Sequence, residues 1–433
     1  MIIAQQLGLI VLSLMLLLAI MTAVKWLARH FEWSAELQRK SVHVATGIYA
    51  LTLPWLFTSR WPVLAIAGSA AVVLLILRMP GLARSGLGST LHSVERHSYG
   101  DILLALAVGI VFFFSHGNPV LYVLPIAVVT LSDAAAAMTG VRYGSRFLSV
   151  ETGTKSLEGS AMFFLVTWIV AMILLLLMTD ISRANVVLLS LVIAAFGTLV
   201  EADSWHGFDN LFLPVGLHLF LSSHLETPPL PLLGLTLFFL ATLVVALSLA
   251  PRVGLSSHAA RAYTIAIFMI CAVTEVHNAA LPVLVILAHL AARHVRPCKS
   301  HYPDLDVLAL VVVVAVFWLF LGRYAGHDAI NMYNLSFAGA ALVFVALAAG
   351  RRLALTAVGA AVLLAVTILV AGRNVEAIQW HGSLWPWIVA SFVLCMVIPV
   401  LRPQLLDRYR GPRTLALALP VPVTFFMAKA LIL

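Results

Sequence analysis

Long apolar runs alternate with short polar segments along the whole chain. The clearest runs cover residues 2–24, 61–77, 102–115, 120–138, 162–178, 186–200, 232–250, 307–321, 353–371 and 385–401. A helix that spans a bilayer needs roughly 20 mostly apolar residues. With the weaker segments near 44–57, 211–222, 263–279, 280–292, 335–349 and 414–431, the pattern predicts about 14–16 transmembrane helices.

The spanning segments are expected to be helical, because the bilayer interior offers no partner for unpaired backbone groups. The first run is not typical of a cleavable signal peptide. Its charges, Lys25 and Arg29, follow the apolar residues instead of preceding them. The predicted class is therefore an all-α polytopic membrane protein.

Composition supports this class, since 62% of the 433 residues are hydrophobic and 10% are charged, against about 25% charged in soluble proteins. The net charge of +8 does not indicate nucleic-acid binding, because the basic residues are spread over many loops. When the loops are numbered in order, every second one belongs to a set that together holds 21 of the 26 Lys and Arg residues. The positive-inside rule places those loops in the cytoplasm and the N-terminus outside.

The polar segments of the first half all lie at predicted cytoplasmic helix ends. They are QRKSVHVATG (38–47), VERHSYGD (94–101), SDAAAAMTGVRYG (132–144), TKSLEGS (154–160) and VEADSWHGFDNLFLP (200–214). Five polar segments that converge on one membrane face predict a single site that is reached from the cytoplasm.

Two of these segments hold basic residues and a costly carboxylate. Arg39 and Lys40 precede a span, where basic residues are ordinarily membrane anchors, and His43 shares a helix face with Lys40. Together they could hold a polyphosphate. Asp133 ends an apolar run, and an ionisable residue at that depth is a functional candidate; the simpler interpretation is a carboxylate that reaches the interface.

The next segments combine glycines, a lysine and carboxylates. The glycines Gly140 and Gly144 belong to a stretch expected to be a flexible loop whose amides approach phosphates. Lys155 is the one lysine there, and Glu158 three residues later either pairs with it or takes part in chemistry. The order of residues in GTKS excludes a P-loop.

An acidic loop follows, with the carboxylates Glu201, Asp203 and Asp209 on the basic side of the membrane. Magnesium ligation would explain carboxylates in that position. Cations, carboxylates and glycines are the parts that phosphoryl transfer needs. The residues alone thus indicate a membrane enzyme that handles a nucleotide or a phosphate.

In their order, the motifs resemble those of the polyprenol kinase family, which includes dolichol kinase, phytol kinase and CTP-dependent diacylglycerol kinase. They are RKSVH (39–43), RHSYGD (96–101), SDAAAAMTGVRYG (132–144), KSLEGS (155–160) and EADSWHGFDNLFLP (201–214). The resemblance covers residues 1–225 and implies a membrane-embedded kinase domain. It implies transfer from CTP, less often ATP, to the hydroxyl of a prenol or of diacylglycerol at the cytoplasmic face of the cell membrane.

The resemblance also implies roles for individual residues. Catalytic roles fall on Asp133, Lys155, Glu158, Glu201 and Asp209, among which Asp133, Glu201 and Asp209 would bind Mg²⁺. Nucleotide or phosphate binding falls on Arg39, Lys40, His43, Arg96, Gly140, Gly144 and Asn210. Arg96 matches the family pattern more loosely than the others.

Two other functions stay open. A phosphatidate cytidylyltransferase has a similar nucleotide region, but its late D-R-x-D signature is absent here. A lipid or anion transporter would show inverted repeats, and the halves share no such symmetry. Residues 226–433 match no kinase motif and are expected to form an additional multi-helix membrane domain of unknown role. Its polar residues Glu275, His277 and Asn278 suit either the membrane interface or hydrogen bonds within a helix bundle, and a separate lipid-handling or partner-binding module is the alternative.

Overall fold

The computed structural model describes residues 3–78, 99–115, 117–150, 153–204, 207–325, 329–374 and 384–430. The first part contains α1 (Ile3–His30), α2 (Ala35–Leu51), α3 (Leu53–Leu56), α4 (Arg60–Leu77), α5 (Gly100–Phe114), α6 (Val120–Ala127), a π-helical turn (Val128–Ser132), α7 (Asp133–Tyr143), β1 (Phe147–Val150), β2 (Gly153–Ser156), α8 (Leu157–Met178), α9 (Arg183–Ala202) and α10 (Asp209–His224).

The rest of the chain is also helical. It contains α11 (Pro229–Leu249), α12 (Ser257–Val273), α13 (Ala280–Val295), α14 (Pro303–Ala325), α15 (Ile330–Ala349), α16 (Leu353–Arg373), α17 (Trp385–Leu401), α18 (Arg410–Ala418) and α19 (Pro420–Ala430). Short 3₁₀ turns cover Ala250–Val253, Val276–Ala279 and Pro403–Leu406.

Within the described residues, 11 helical segments are long and apolar enough to cross a membrane. Three shorter apolar helices, α5, α12 and α17, accompany them. The predicted class, a helical polytopic membrane protein, is confirmed. The larger count of about 14–16 crossings and the outside N-terminus stay predictions.

Serine residues begin several of the helices. Ser34, Ser156, Ser182 and Ser256 each accept a hydrogen bond from the backbone N–H three residues later. An N-cap hydroxyl pairs one of the four backbone donors that a helix start leaves without partners. The capped helices are α2, α8, α9 and α12, so three of the elements that carry predicted site residues have a defined first turn.

The chain divides into two compact units, Met1–Phe238 and Phe239–Leu433. The roles predicted for residues 1–225 and 226–433 stay predictions. In the second unit, α15 is the most enclosed candidate span. There, His277 and Asn278 both bond to the side chain of Asn374, and Asn334 donates to Asn278 at 2.7 Å. Buried amides linked in this way join three helix ends.

A π-helical turn interrupts the long helical segment Val120–Tyr143 immediately before Asp133. Such turns are frequent at functional sites. Helix α2 packs against it at Gly47, where an added Cβ would overlap the side chain of Thr130. This close approach sets the distance between α2 and the segment that carries Asp133.

The glycine-rich stretch differs from the flexible loop that the sequence suggested. Residues 147–150 and 153–156 pair as an antiparallel hairpin, with Leu148 opposite Lys155. Gly140 and Gly159 let α7 approach α8: an added Cβ at Gly140 would lie 2.7 Å from Ser156 Oγ, and one at Gly159 would lie 2.9 Å from a backbone oxygen. These two glycines allow tight helix packing, which the sequence pattern alone did not distinguish from a mobile loop.

We predict that Gly47→Ala destabilises the protein by about 1–3 kcal/mol, because the new methyl group overpacks the contact with Thr130. Gly68→Ala, also in a helix, is the matched control, since no atom lies within 4 Å of its added Cβ. Thermal unfolding of the detergent-solubilised variants measures the difference. Equal melting temperatures for both variants would contradict this account of the packing.

Candidate functional site

The first part of the site is a buried ion pair between α2 and α7. Lys40 Nζ donates to Asp133 Oδ2 at 2.5 Å, and the two side chains are 6% and 10% exposed. His43 Nε2 donates to the carbonyl of Val129 at 3.1 Å and lies 3.7 Å from Asp133 Oδ2. The predicted common face of Lys40 and His43 is therefore observed, and it faces the carboxylate.

The second part joins the hairpin to the end of α9. Lys155, on β2, donates to Glu201 Oε1, whose side chain is 7% exposed. Burial alone would lower the pKa of Lys155, but the carboxylates of Glu201 and Asp209 outweigh it and raise that pKa above its ordinary value. Asp133 adds to this effect. The two lysine–carboxylate pairs thus lie within electrostatic range of each other.

The third part is the start of α10. Asp209 and Asn210 are both buried there. The Asp209 N–H donates to Ser204 Oγ, and Ser204 Oγ donates back to Asp209 Oδ1, each at 2.9 Å. Asn210 Oδ1 is buried and has no hydrogen-bond partner among the described residues. An unpaired buried oxygen is costly, so this amide is available to a ligand.

Glu158 does not pair with Lys155 as the simplest sequence interpretation suggested. It accepts from Ser145 Oγ at 2.5 Å and from the Arg146 N–H at 3.2 Å. The helical i, i+3 relation does not apply, because Lys155 lies in a strand and α8 begins only at Leu157. Glu158 therefore holds the connection between α7 and the hairpin, while Lys155 pairs with Glu201.

Three other predicted residues lie at the edge of the site or in its packing. Arg39 bonds to Glu36 on its own helix at 2.6 Å, and both side chains are partly exposed. Gly140 and Gly144 pack against Ser156, the N-cap of α8. The predicted binding residue Arg96 lies outside the described residues.

Magnesium was predicted on Asp133, Glu201 and Asp209. In the described part of the chain, no three His, Cys, Asp or Glu side chains form a group that could hold a metal ion. Two of the predicted carboxylates are each neutralised by a lysine of their own, Asp133 by Lys40 and Glu201 by Lys155. Magnesium commonly takes one or two carboxylates together with substrate phosphates. The oxygen donors of Asp209 and Asn210 fit a magnesium ion that arrives with a nucleotide; they do not form a complete site by themselves.

Sequence reasoning missed the residues that orient the charged groups. Ser204 fixes the Asp209 carboxylate, and Thr167 on α8 donates to Ser132 Oγ at 2.9 Å, one residue before Asp133. Both serines lie inside the polar motifs. Their hydroxyls carry no spacing signal, because the bonds depend on how separate helices meet.

In the described part of the chain, the arrangement places two cations, three carboxylates and an unpaired amide oxygen at or near the ends of five elements. It is suited to an anionic ligand that carries its own cation, because the lysines would bind its negative groups and the excess carboxylate charge would bind its cation.

Comparison with known proteins gives one similar curated protein, the phytol kinase of Synechocystis sp. The two chains are 34% identical over 186 residues, which are 42% of this chain and 76% of that protein. No family model matches the chain. No solved structure matches it either.

We predict that Lys40→Met lowers the free energy of unfolding by about 3–5 kcal/mol, because it leaves the Asp133 carboxylate buried without its cation. Arg39→Met on the same helix breaks the partly exposed pair with Glu36 and should cost about 1 kcal/mol or less. Denaturant unfolding in mixed micelles measures both.

Adding Asp133→Leu to Lys40→Met removes the unpaired charge and should recover most of the lost stability. If the two single variants, Lys40→Met and Arg39→Met, lose the same stability, the pair with Asp133 is not a buried ion pair in solution.

Proposed function

We propose that this chain, which belongs to the polyprenol kinase family, transfers a phosphoryl group from a nucleoside triphosphate to the hydroxyl of a membrane lipid alcohol. The observation that carries the proposal is the pair of contacts between a lysine and a buried carboxylate, Lys40 with Asp133 and Lys155 with Glu201. Lys155 lies between two candidate spans, Asp133 lies within the first of them, and Glu201 lies near the end of another. A water-borne donor and a lipid-borne acceptor can meet at such a site.

Lys40 and Lys155 are the groups that bind the phosphates. Each ammonium can rotate from its carboxylate to a phosphate oxygen with little backbone movement, because the charge sits at the end of a flexible side chain. Catalysis of phosphoryl transfer consists mostly of positioning and charge neutralisation. Two lysines on different elements can therefore fix the triphosphate at two points.

The carboxylates balance the charge of the occupied site. When the lysines bind phosphate, the carboxylates of Asp133 and Glu201 lose their partners, and together with Asp209 they provide oxygen donors. A magnesium ion that is bound with the nucleotide supplies positive charge to the phosphate oxygens. Asp209 and Asn210 are the residues that would hold it.

Asp209 also faces the acceptor in this proposal. Ser204 fixes one of its carboxylate oxygens at 2.9 Å, so it can accept a hydrogen bond from the substrate hydroxyl in a defined direction. The transition state of phosphoryl transfer is loose, and the hydroxyl needs a base only weakly. Orientation of the hydroxyl is therefore its main contribution.

The acceptor is a prenol, in keeping with the phytol named for the Synechocystis relative. Diacylglycerol and longer polyprenols belong to the same chemical group of membrane alcohols. CTP is the proposed donor, with ATP as the alternative within the family resemblance. The distribution of basic loops supports a site at the cytoplasmic face of the membrane.

The proposal predicts a labelled lipid phosphate when the purified chain is given Mg²⁺, a γ-labelled nucleotide and a panel of prenols and diacylglycerol. Parallel reactions with CTP and ATP identify the donor. Pyrophosphate release from CTP on addition of phosphatidate, without any labelled lipid phosphate, would instead make the protein a cytidylyltransferase.

Lys155→Met should reduce phosphoryl transfer about a hundredfold or more, the size of effect seen when a transition-state charge donor is removed. Combining it with Glu201→Gln avoids a buried unpaired charge, so this double variant should remain folded and stay inactive. Lys299→Met, at an exposed lysine of the second unit, is the matched control and should retain activity. Near-normal transfer by the folded double variant would exclude Lys155 from phosphate binding.

A further inference from the structure

The hairpin that carries Lys155 connects two candidate membrane spans. One span ends at Tyr143 and the next begins at Leu157. The two strands between them, Phe147–Val150 and Gly153–Ser156, therefore lie at the boundary between the hydrocarbon core and water. Headgroups of phospholipids occupy that depth.

The two faces of the hairpin differ in exposure. Leu148 is paired with Lys155, and these two residues share the half-buried face from which Lys155 reaches Glu201. Ser149 is paired with Thr154, and both are exposed on the opposite face together with Phe147. Since side chains alternate along a strand, the hairpin presents one face to the site and the other outward.

Exposed aromatic and basic residues lie close together in sequence where α7 ends and the hairpin begins. Tyr143 is 64% exposed and Phe147 is 59% exposed. Arg142 and Arg146 are exposed beside them, and the Arg142 guanidinium lies 5.5 Å from the centre of the Tyr143 ring. Among the described residues, neither arginine side chain forms an ion pair.

We propose that the exposed side chains where α7 leads into the hairpin, Arg142, Tyr143, Arg146 and Phe147, bind the headgroup layer of anionic phospholipids. Aromatic side chains are enriched at the membrane interface, and basic residues there are attracted by anionic lipids. In the described part of the chain these two arginines have no ion-pair partner, and each directly precedes an exposed ring near the end of a span. The group matches such a layer in charge, polarity and position.

Binding of lipid headgroups by these side chains would fix the depth of the adjoining hairpin in the membrane. Lys155 would then be held at the level where the hydroxyl of a lipid alcohol lies. The lipid contact does not depend on the proposed kinase activity. Only the consequence for the position of Lys155 rests on the proposed function.

Fluorescence of a probe on the exposed face tests the contact directly. Ser149→Cys is labelled with an environment-sensitive dye in the full chain, and the unsubstituted chain labelled in the same way gives the background of Cys271, Cys298 and Cys395. The protein is reconstituted in nanodiscs of phosphatidylcholine with increasing phosphatidylglycerol, with lipids that carry a headgroup-level quencher. Quenching should rise with the phosphatidylglycerol fraction.

The arginines supply the matched comparison. The double variant Arg142→Gln, Arg146→Gln keeps the hydrogen bond from the backbone N–H of residue 146 to Glu158. It should raise several-fold the phosphatidylglycerol fraction that gives half-maximal quenching. Arg183→Gln, at an exposed arginine at the start of α9, should leave that fraction unchanged.

Each outcome decides the proposal. Quenching that depends on phosphatidylglycerol and on the two arginines supports it. Absent quenching, or equal quenching with and without phosphatidylglycerol, overturns it, as does an unchanged response of the double variant. Because quenching needs no phosphoryl transfer, a chain without kinase activity can still pass or fail this test.

Discussion

The pairing of lysines with buried carboxylates is the interaction on which the rest of the site depends. An unpaired charge at such a position costs several kcal/mol, so Lys40 and Asp133 require each other, as do Lys155 and Glu201. Each pair joins elements that are distant in sequence. The pairs therefore fix α2 against α7 and the hairpin against α9, and they keep four charges ready for a ligand that can replace the internal partners.

The surrounding structure provides the close contacts that this charge arrangement needs. Gly47 lets α2 approach the π-helical turn, and Gly140 and Gly159 let α7 approach the capped start of α8. Hydroxyl groups then orient what the backbone brings together, as Ser204 does for Asp209. Small residues bring the helices close, and polar residues at the helix ends use that closeness.

The class of helical polytopic membrane protein could be predicted from the sequence, because the apolar lengths of the segments reflect the thickness of a bilayer. The distribution of basic loops supplied the prediction of orientation. The i, i+3 spacing of Lys40 and His43 gave their common face. The partner of Lys155 could not be predicted, since Glu158 is near in sequence whereas Glu201 becomes near only through tertiary contact. The hairpin was missed because its residues read as a glycine-rich loop, and its two strands are only four residues each.

The central claim is that the two lysines exchange their carboxylates for nucleotide phosphates. A cryo-electron microscopy structure of the full chain with Mg²⁺ and a non-hydrolysable CTP analogue tests it most directly. The account predicts triphosphate oxygens within hydrogen-bond distance of both Lys40 Nζ and Lys155 Nζ. A nucleotide bound elsewhere, or lysines that remain on Asp133 and Glu201 beside a bound triphosphate, would contradict it.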